Sequence, residues 1–393
     1  MYLVINMRLL FITDFTEQFA YRLLRGILNY AQETEPWVVC KMPPSVKRAL
    51  GMEGLVGWAK QWQADVVIAQ FDPDDDVTLF RKNGIVALAQ DYISKFDSIP
   101  NITANYDLTG RMAAERFLTR GFQNYGFFGY RGVCWSNERC EGYCNALKQA
   151  GVDKVYIYDN QKIDSLWYSD FSRVGEWLTN LPKPIAIMAC DDTQGNVLVQ
   201  ACSTNGVSIP SEVAIIGVDN DEILCNMSDP ALSSIDVDIE KGGYEAAAIA
   251  HRMVNDPDYL GRDIVLQPIN IVARMSSNIF ATRDSAVLAV LQYISSNIDK
   301  RLSVPDVLKV VPLSRRLLEQ RFVKETGSTI YNYITFMRIE RFSQLLLSSN
   351  DSIAEIASAM DEPDTKSISR RFQAIKGVTP SEFRKRELRK MGE

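Results

Sequence analysis

Histidine is almost missing from this 393-residue chain, which holds a single one, His251. Ser-His-Asp chemistry would have to run through that residue, and no G-x-S-x-G nucleophile motif accompanies it. His251 lies in "AAAIAHRMV" on a predicted helix, so a structural or solvent-edge role is expected. Nucleotide signatures are missing too: neither G-x-G-x-x-G nor G-x-x-x-x-G-K-[ST] stands at a strand–helix junction. No apolar run approaches the roughly 18 residues needed to span a bilayer. The N-terminal "MYLVINMRLLFITDF" is apolar but has no basic n-region and no small-residue cleavage site. The expectation is a cytoplasmic protein without membrane association. The cysteines at 40, 134, 140, 144, 190, 202 and 225 are odd in number and follow no framework spacing, which suggests reduced thiols. Cys140 and Cys144, four apart with Cys134 nearby, admit a soft-metal or redox site, but core packing is the expected role. No metal, cofactor or catalytic residue is expected.

The net charge of −6 argues at first against nucleic acid, but the charge is unevenly spread. Residues 1–282 hold 24 Lys+Arg and 35 Asp+Glu, a net −11, whereas residues 283–393 hold 19 and 14, a net +5. Such asymmetry fits a chain in which one segment meets phosphates and the other does not.

The first part alternates strand and helix patterns. "MRLLFITDF" reads as a buried strand, and "EQFAYRLLRGILNYAQE" as an amphipathic helix with Phe19, Leu23, Ile27 and Tyr30 on one stripe. "WVVCKM", "ADVVIAQF", "GIVALAQ", "YGFFGY", "KVYIYD", "IAIMAC" and "EVAIIGVDN" follow as strands separated by helical stretches. The extended segments "DIVLQPI" and "NIVARM" close the series. That rhythm predicts parallel α/β sheets in two lobes. Residues 276–284, "SSNIFATRD", are the predicted linker, so the α/β domain covers 1–275 and a helical domain covers 285–393.

In the helical domain, Ser352 with Glu355 forms a capping box that starts a helix carrying Ile353, Ile356, Ala357 and Met360 on one face. A polar turn, Asp361 to Thr365 with Pro363, leads to a second helix with Lys366, Arg370 and Arg371 outward and Ile368 and Phe372 inward. Gly377 is placed as a C-cap, and Thr379, Pro380 and Glu382 begin the next helix. A short helix, a turn and a basic helix make a helix-turn-helix DNA reader. "SVPDVLK", "VPL" and "SRRLLEQRFVKETG" form a first such unit, and "TIYNYITFMRIERFSQLLLSS" a long connecting helix.

On "SRRLLEQRFVKETG", "SIAEIA", "SRRF", "KG" and "TPSEFR", the last ~110 residues resemble the arabinose-regulator (AraC) type of DNA-binding domain. The resemblance implies seven helices, with two recognition helices in successive major grooves. The family usually has Gly-Phe or Gly-Tyr in the second unit's turn, where this chain has Asp361 and Glu362. Ile368 stands for the usual Phe, and Pro363 is added. The acidic turn is expected to weaken phosphate attraction there. The first unit, around Arg315 to Arg321, is therefore expected to make more of the base contacts.

The first ~275 residues resemble the core of the lactose-repressor and periplasmic sugar-binding superfamily, through "DLTGRMAAERFLTRGFQNYGFFGY", "ERCEGYCNAL", "CDDTQGNVLVQ", "GVDN" and "DPALSSIDVDIEKGGYEAAAI". The implied architecture is a two-lobed periplasmic-binding-protein-like α/β core followed by an all-α domain with two helix-turn-helix units. In this superfamily the sugar lies between the lobes. By motif, Asp219, Asp192 and Arg139 carry over as its ligands, with Asp191 in a place usually held by Asn. Carboxylates and guanidinium groups suit sugars because each can engage two hydroxyls. Asp14, Phe15, Tyr21, Asp91, Asn105, Trp135 and Trp167 are further ligand candidates, with a core or surface role as the alternative for each, since aromatic residues dominate cores anyway. For DNA the candidates are Arg315, Arg316, Gln320 and Arg321, then Lys366, Ser367, Arg370 and Arg371. Pairing with Glu319 or Glu325 is the competing role for Arg315 and Arg321. The implied protein is a cytoplasmic transcription factor, an activator answering to a pentose, xylose first. It would act on double-stranded DNA as a homodimer, with RNA polymerase as a further candidate partner. A sugar-carrying solute-binding protein, a small-molecule enzyme and a regulator with a non-pentose effector are the alternatives.

Overall fold

The computed structural model describes residues 7–160, 171–277, 282, 284–326, 328–349, 351–362 and 364–385. The larger unit runs in the order β1 (Arg8–Ile12), α1 (Gln18–Glu33), β2 (Val38–Met42), α2 (Pro44–Gln61), β3 (Val66–Ala69), α3 (Thr78–Lys82), β4 (Val86–Gln90), β5 (Asn101–Ala104), α4 (Tyr106–Thr119) and β6 (Tyr125–Tyr130). It continues with α5 (Cys134–Gln149), β7 (Val155–Asn160), α6 (Phe171–Asn180), β8 (Ile185–Ala189), α7 (Asp192–Thr204), β9 (Val213–Val218), α8 (Glu222–Met227), β10 (Ser233–Val237), α9 (Ile239–Asn255), β11 (Ile264–Leu266) and β12 (Pro268–Val272). Two six-stranded sheets result, ordered β11-β5-β4-β3-β1-β2 and β12-β10-β9-β8-β6-β7. β3, β6, β8 and β9 are buried along their whole length, as continuous apolar runs in parallel sheets must be. The one antiparallel partner is β12 against β10. The extended segments "DIVLQPI" and "NIVARM", adjacent in sequence, go to different sheets: β11 pairs with β5 and β12 with β10. The chain therefore passes from one lobe to the other more than once.

α1 and α9 touch almost backbone to backbone. A Cβ on Gly26 would lie 1.8 Å from the Glu240 carbonyl oxygen, and one on Gly243 2.1 Å from that of Leu23. Around this contact Tyr30 Oη meets His251 Nδ1 at 3.0 Å, and the Trp37 and Tyr244 rings pack on Tyr30. The lone histidine thus has the structural place expected of it. Cys140 and Cys144 have their sulfurs 4.0 Å apart on α5, while the Cys134 sulfur faces the Tyr92 carbonyl at 3.7 Å.

Ser276 and Ser277 do not begin a linker. Both are buried, with Ser276 Oγ donating to the Ile215 carbonyl at 2.7 Å and Ser277 Oγ to Ser233 Oγ at 2.8 Å. Their hydroxyls satisfy the end of the second sheet, so the α/β unit extends to Ser277.

The helical unit contains α10 (Ser285–Ser296), α11 (Val304–Leu308), α12 (Arg315–Thr326), α13 (Ile330–Ser348), α14 (Ile353–Ala359) and α15 (Thr365–Lys376), and residues 380–385 are again helical. It has two small cores. Val290, Leu291, Leu318, Phe322 and Ile334 centre the first, and Phe342, Leu346, Ile356, Ile368 and Phe372 the second. α13 contributes to both. The capping boxes at Ser303 and Ser352 and the left-handed Gly377, φ 74°, close the helix ends where the sequence placed them.

Replacing Gly26 by Ala is expected to cost the α/β unit at least about 1–3 kcal/mol, because the clashing atom is backbone and cannot rotate away. A drop in Tm by calorimetry checks it.

Candidate ligand site and nucleic-acid interface

Parallel strands deliver their carboxyl ends to one edge of each sheet, and open α/β sheets bind ligands outside those ends. A continuous chain of contacts here joins the edge of one sheet to that of the other. Asp91, just after β4, accepts a hydrogen bond from Tyr106 Oη at 3.2 Å. The Tyr106 ring lies under the Arg139 guanidinium, 5.2 Å from its centroid, and Trp135 flanks the same group at 5.4 Å. Trp135 and Arg139 are four apart on α5 and so share a face. Arg139 Nη2 then donates to Asp219 Oδ1 at 3.0 Å, just after β9, while Nη1 bonds the Cys190 carbonyl.

Arg139 is only 4% exposed. Burial works against its charge, but Asp219, then Tyr106, Cys190 and Asp191, outweigh that and hold the guanidinium protonated above its ordinary range. Burial raises Asp91 to about 6, against the bonds from Thr103 and Tyr106 and the pull of Lys95. Glu17, unremarked in the sequence, is surrounded by the cleft walls although its surface opens to solvent. That confinement raises it to about 8, with Asp191, Asp219, Asp14 and Asp221 adding to it. The first lobe's Glu17 and Asp14 therefore face the second lobe's Asp191, Asp219 and Asp221 across one cleft.

Several buried polar atoms at these strand ends have no protein partner: Thr13 Oγ1 after β1, Gln90 Oε1 in β4, Arg139 Nε, and Gln194 Oε1 in α7. Buried polar groups are nearly always bonded, so these atoms are candidates for contact with water or a hydrogen-bonding ligand.

The remaining candidates divide. Asp192 is 3% exposed, and its Oδ2 accepts from the Asp221 N–H at 2.8 Å. Burial holds it well above the ordinary carboxylate range. Its Oδ2 braces the loop behind Asp219, and its Oδ1 is a further buried oxygen without a hydrogen-bond partner. Asp191 caps α7, accepting from the Gln194 N–H at 2.6 Å; burial raises it to about 6, with Asp219 adding to that. Asn105 caps α4 through the Leu108 N–H at 3.2 Å and donates to Gln267 Oε1 at 3.1 Å, between β11 and β12. Asp14 is exposed and folds back on the Thr16 N–H at 2.9 Å. Phe15 and Tyr21 pack together under Lys41, whose Nζ lies 4.7 and 5.0 Å from their ring centroids. Trp167 lies outside the described residues. Glu17, Arg22 and Gln194 were missed because nothing in their local spacing distinguishes them from ordinary helix residues.

In the helical unit Arg315, Arg316 and Gln320 are exposed on α12, opposite buried Leu318 and Phe322. Glu319 and Glu325 are occupied by the Ile330 N–H and Thr282 Oγ1. Arg321 instead turns to Asp284, the N-cap of α10, at 3.5 Å. On α15, Lys366 and Arg370 are exposed and Ser367 is half-buried. Arg371 is drawn inward: Nη2 lies 2.7 Å from Glu362 Oε2, the same oxygen that meets Arg338 at 3.3 Å. Arg371 thus departs from the expected outward pose, drawn in by Glu362, whereas Arg321 stays 43% exposed while it reaches Asp284.

The acidic turn is corrected as well. Asp361 has φ 51°, left-handed, at the place the family gives to glycine; aspartate tolerates that region better than most residues. Its carboxylate accepts the Arg301 N–H at 3.2 Å. Glu362 is the counter-charge of buried Arg338, which also bonds the Ile298 and Met360 carbonyls and so ties both helix-turn-helix units to α13. Glu362 is thus an internal fitting, whereas Asp361 remains exposed while holding the Arg301 N–H. Pro363 lies outside the described residues.

Two outcomes follow from this geometry. Arg316→Ala and Arg370→Ala should each weaken DNA binding and lower the log–log salt slope by about 1, measured by anisotropy titration, whereas Arg371→Ala should lower Tm. For a carboxylate whose folded value is raised, the folded state holds the extra proton, so stability is greatest below the unfolded value and falls as pH rises to the folded one. For Glu17 that window runs from about 4.5 to about 8. Glu17→Gln should therefore lose less Tm than the parent across it.

Comparison with known proteins agrees with this layout. Residues 114–277 match the periplasmic binding protein-like domain, and residues 307–386 a helix-turn-helix domain. The xylose operon regulatory protein of Escherichia coli (strain K12) is 28% identical over 340 residues, covering 83% of this chain and 85% of that protein. Its counterpart in Haemophilus influenzae is 27% identical over 332 residues, 82% and 86% of the two chains. The solved structure of a xylose-binding transcription activator aligns over 98% of this chain and 99% of its own, with a TM-score of 0.60 at 23% identity, a likeness of fold. These relatives are regulators, and among the described residues no helix is long and apolar enough to cross a membrane. Over most of its length the chain is similar to the xylose operon regulatory proteins, and it carries a periplasmic binding protein-like domain followed by a helix-turn-helix domain of a transcription regulator.

Proposed function

We propose that the cleft takes a neutral pentose, xylose before others, and that its occupancy controls an activator of sugar-utilisation genes. The observation that carries the sugar is the strand-end floor itself, where Thr13, Gln90, Arg139 and Gln194 present unmatched donors and acceptors beside the Arg139–Asp219 pair. A polyhydroxylated ring supplies both kinds of partner and needs no charge of its own. The surrounding carboxylates Asp191 and Asp219 accept hydroxyl donors and repel anions, while Glu17, which keeps its proton up to about pH 8, can also donate to a hydroxyl. Xylose is favoured through the names of the relatives.

The protein binds this ligand without turning it over. It acts in the cytoplasm as a homodimer on paired half-sites, with Arg315, Arg316, Gln320, Lys366, Ser367 and Arg370 toward DNA and RNA polymerase as the further partner. The segment from 278 to 284 joins sensor and reader. A ligand can shift the equilibrium between reader arrangements only through different affinity for the two states.

Calorimetry of the full chain against a panel of pentoses, hexoses and sugar phosphates tests this. Xylose should bind and the phosphates should not. Asp219→Ala should weaken binding by about 1.5–3 kcal/mol, the range for a hydrogen bond to a charged group. Unchanged affinity in that variant, or no heat with any sugar, would remove the pocket from this place. Gel-shift titrations with and without xylose read the coupling to DNA.

A further inference from the structure

α1 follows β1 in the first sheet, yet its N-terminal turns are bonded to the strand ends of the second. The Gln18 N–H donates to Asp221 Oδ2 at 3.2 Å, and Gln18 Oε1 accepts from the Glu222 N–H at 2.9 Å. One turn on, Arg22 makes three bonds into the same edge: Nη1 to the Asp219 carbonyl at 2.8 Å, Nη1 to Asp236 Oδ1 at 3.0 Å, and Nη2 to the Val237 carbonyl at 3.0 Å. The Arg22 and Asp236 side chains are 17% and 20% exposed, so this pair is largely withdrawn from solvent screening.

The carbonyl that Arg22 holds belongs to a strained residue. Asp219 has φ 92° and Asn220 φ 49°, both in a region that residues with a Cβ rarely occupy. Such a conformation persists only where the surroundings over-determine it. On the inner side the Asp219 N–H is pinned to the Ile235 carbonyl at 2.9 Å; on the outer side the pin is Arg22. With both in place the Asp219 carboxylate meets Arg139 on the cleft floor.

The geometry points to Arg22 as a positioning residue: a latch from the first lobe that holds the Asp219 main chain in its ligand-competent conformation, making lobe docking and sugar binding one equilibrium. Arg22 acts through Asp219 and lies behind it. This rests on the cleft being the sugar site. A bond made only in the docked arrangement favours that arrangement, and apparent affinity scales with the docked fraction. The close seat of α1 on α9 at Gly26 and Gly243 keeps the latch aimed.

The test uses the full chain with Arg22→Met, Arg22→Lys, Asp236→Asn and Gln18→Ala. Small-angle scattering, or a fluorophore pair across the cleft, reads docking without sugar; calorimetry reads xylose affinity. Arg22→Met should be less docked without sugar, recover the parent's docked signal at saturating xylose, and bind xylose more weakly, on the order of tenfold to a hundredfold. Arg22→Lys should recover part of the loss, and Asp236→Asn and Gln18→Ala should show smaller shifts in the same direction. Parent-like docking and affinity in Arg22→Met would overturn the latch. Should that variant not fold, parent-like behaviour in both Asp236→Asn and Gln18→Ala would overturn it equally. If the parent binds no sugar, the docking measurement still judges the latch, and it is the sugar assignment that fails.

Discussion

A guanidinium taken out of water governs the larger unit. Arg139 is nearly inaccessible, and a buried charge persists only when it is paired and its donors are matched. Asp219 supplies the opposite charge, the Cys190 carbonyl a second acceptor, and the Tyr106 and Trp135 rings two π faces. Each partner comes from a different strand end or helix start, so satisfying this one group draws the edges of both sheets to a common floor. What it leaves over, the Nε donor, is one of several buried polar atoms without a protein partner near the strand ends, Thr13, Gln90 and Gln194 among them. The candidate site draws on groups that this burial leaves unmatched.

The same requirement recurs in the helical unit. Arg338 is buried on α13, and Glu362 answers its charge from the turn before α15. Because Arg338 also bonds the Ile298 and Met360 carbonyls, its neutralisation fixes the second helix-turn-helix unit to the connection that follows α10. Glu362 further takes up Arg371, which reduces the free positive charge on α15 and leaves Lys366 and Arg370 exposed. On α12 both Arg315 and Arg316 remain exposed. Part of the imbalance between the two basic helices therefore lies in Glu362, which is shared between Arg338 and Arg371 inside the unit.

Much of this was legible in the chain. Apolar runs bounded by turns marked β1, β3, β6, β8 and β9, and capping residues fixed the starts of α11 and α14. Arg139 and Asp219 were found through motif and do stand together. Other assignments turn on orientation. Asp191 and Asp192 are neighbours, and only the cap geometry of α7 sets one to cap the helix and the other to hold the Asp221 backbone. Arg321 and Arg371 carry the right charge on the right helices, but Asp284 and Glu362, 37 and 9 positions away, reach them first.

The sequence by itself determined the two-domain order, the alternation that makes two parallel sheets, the tandem helix-turn-helix layout and the segregation of charge. All of these rest on local periodicity, capping and composition, which a linear string records. Only the tertiary structure decided that β11 and β12 part to different sheets, that Ser276 and Ser277 belong to the α/β core, which of two adjacent aspartates caps α7 and which holds the Asp221 backbone, and that α1 reaches across to Asp219 through Arg22. Those outcomes depend on which distant groups share a buried volume, where each charge and each hydrogen-bonding atom must find its complement, and sequence spacing carries no measure of that.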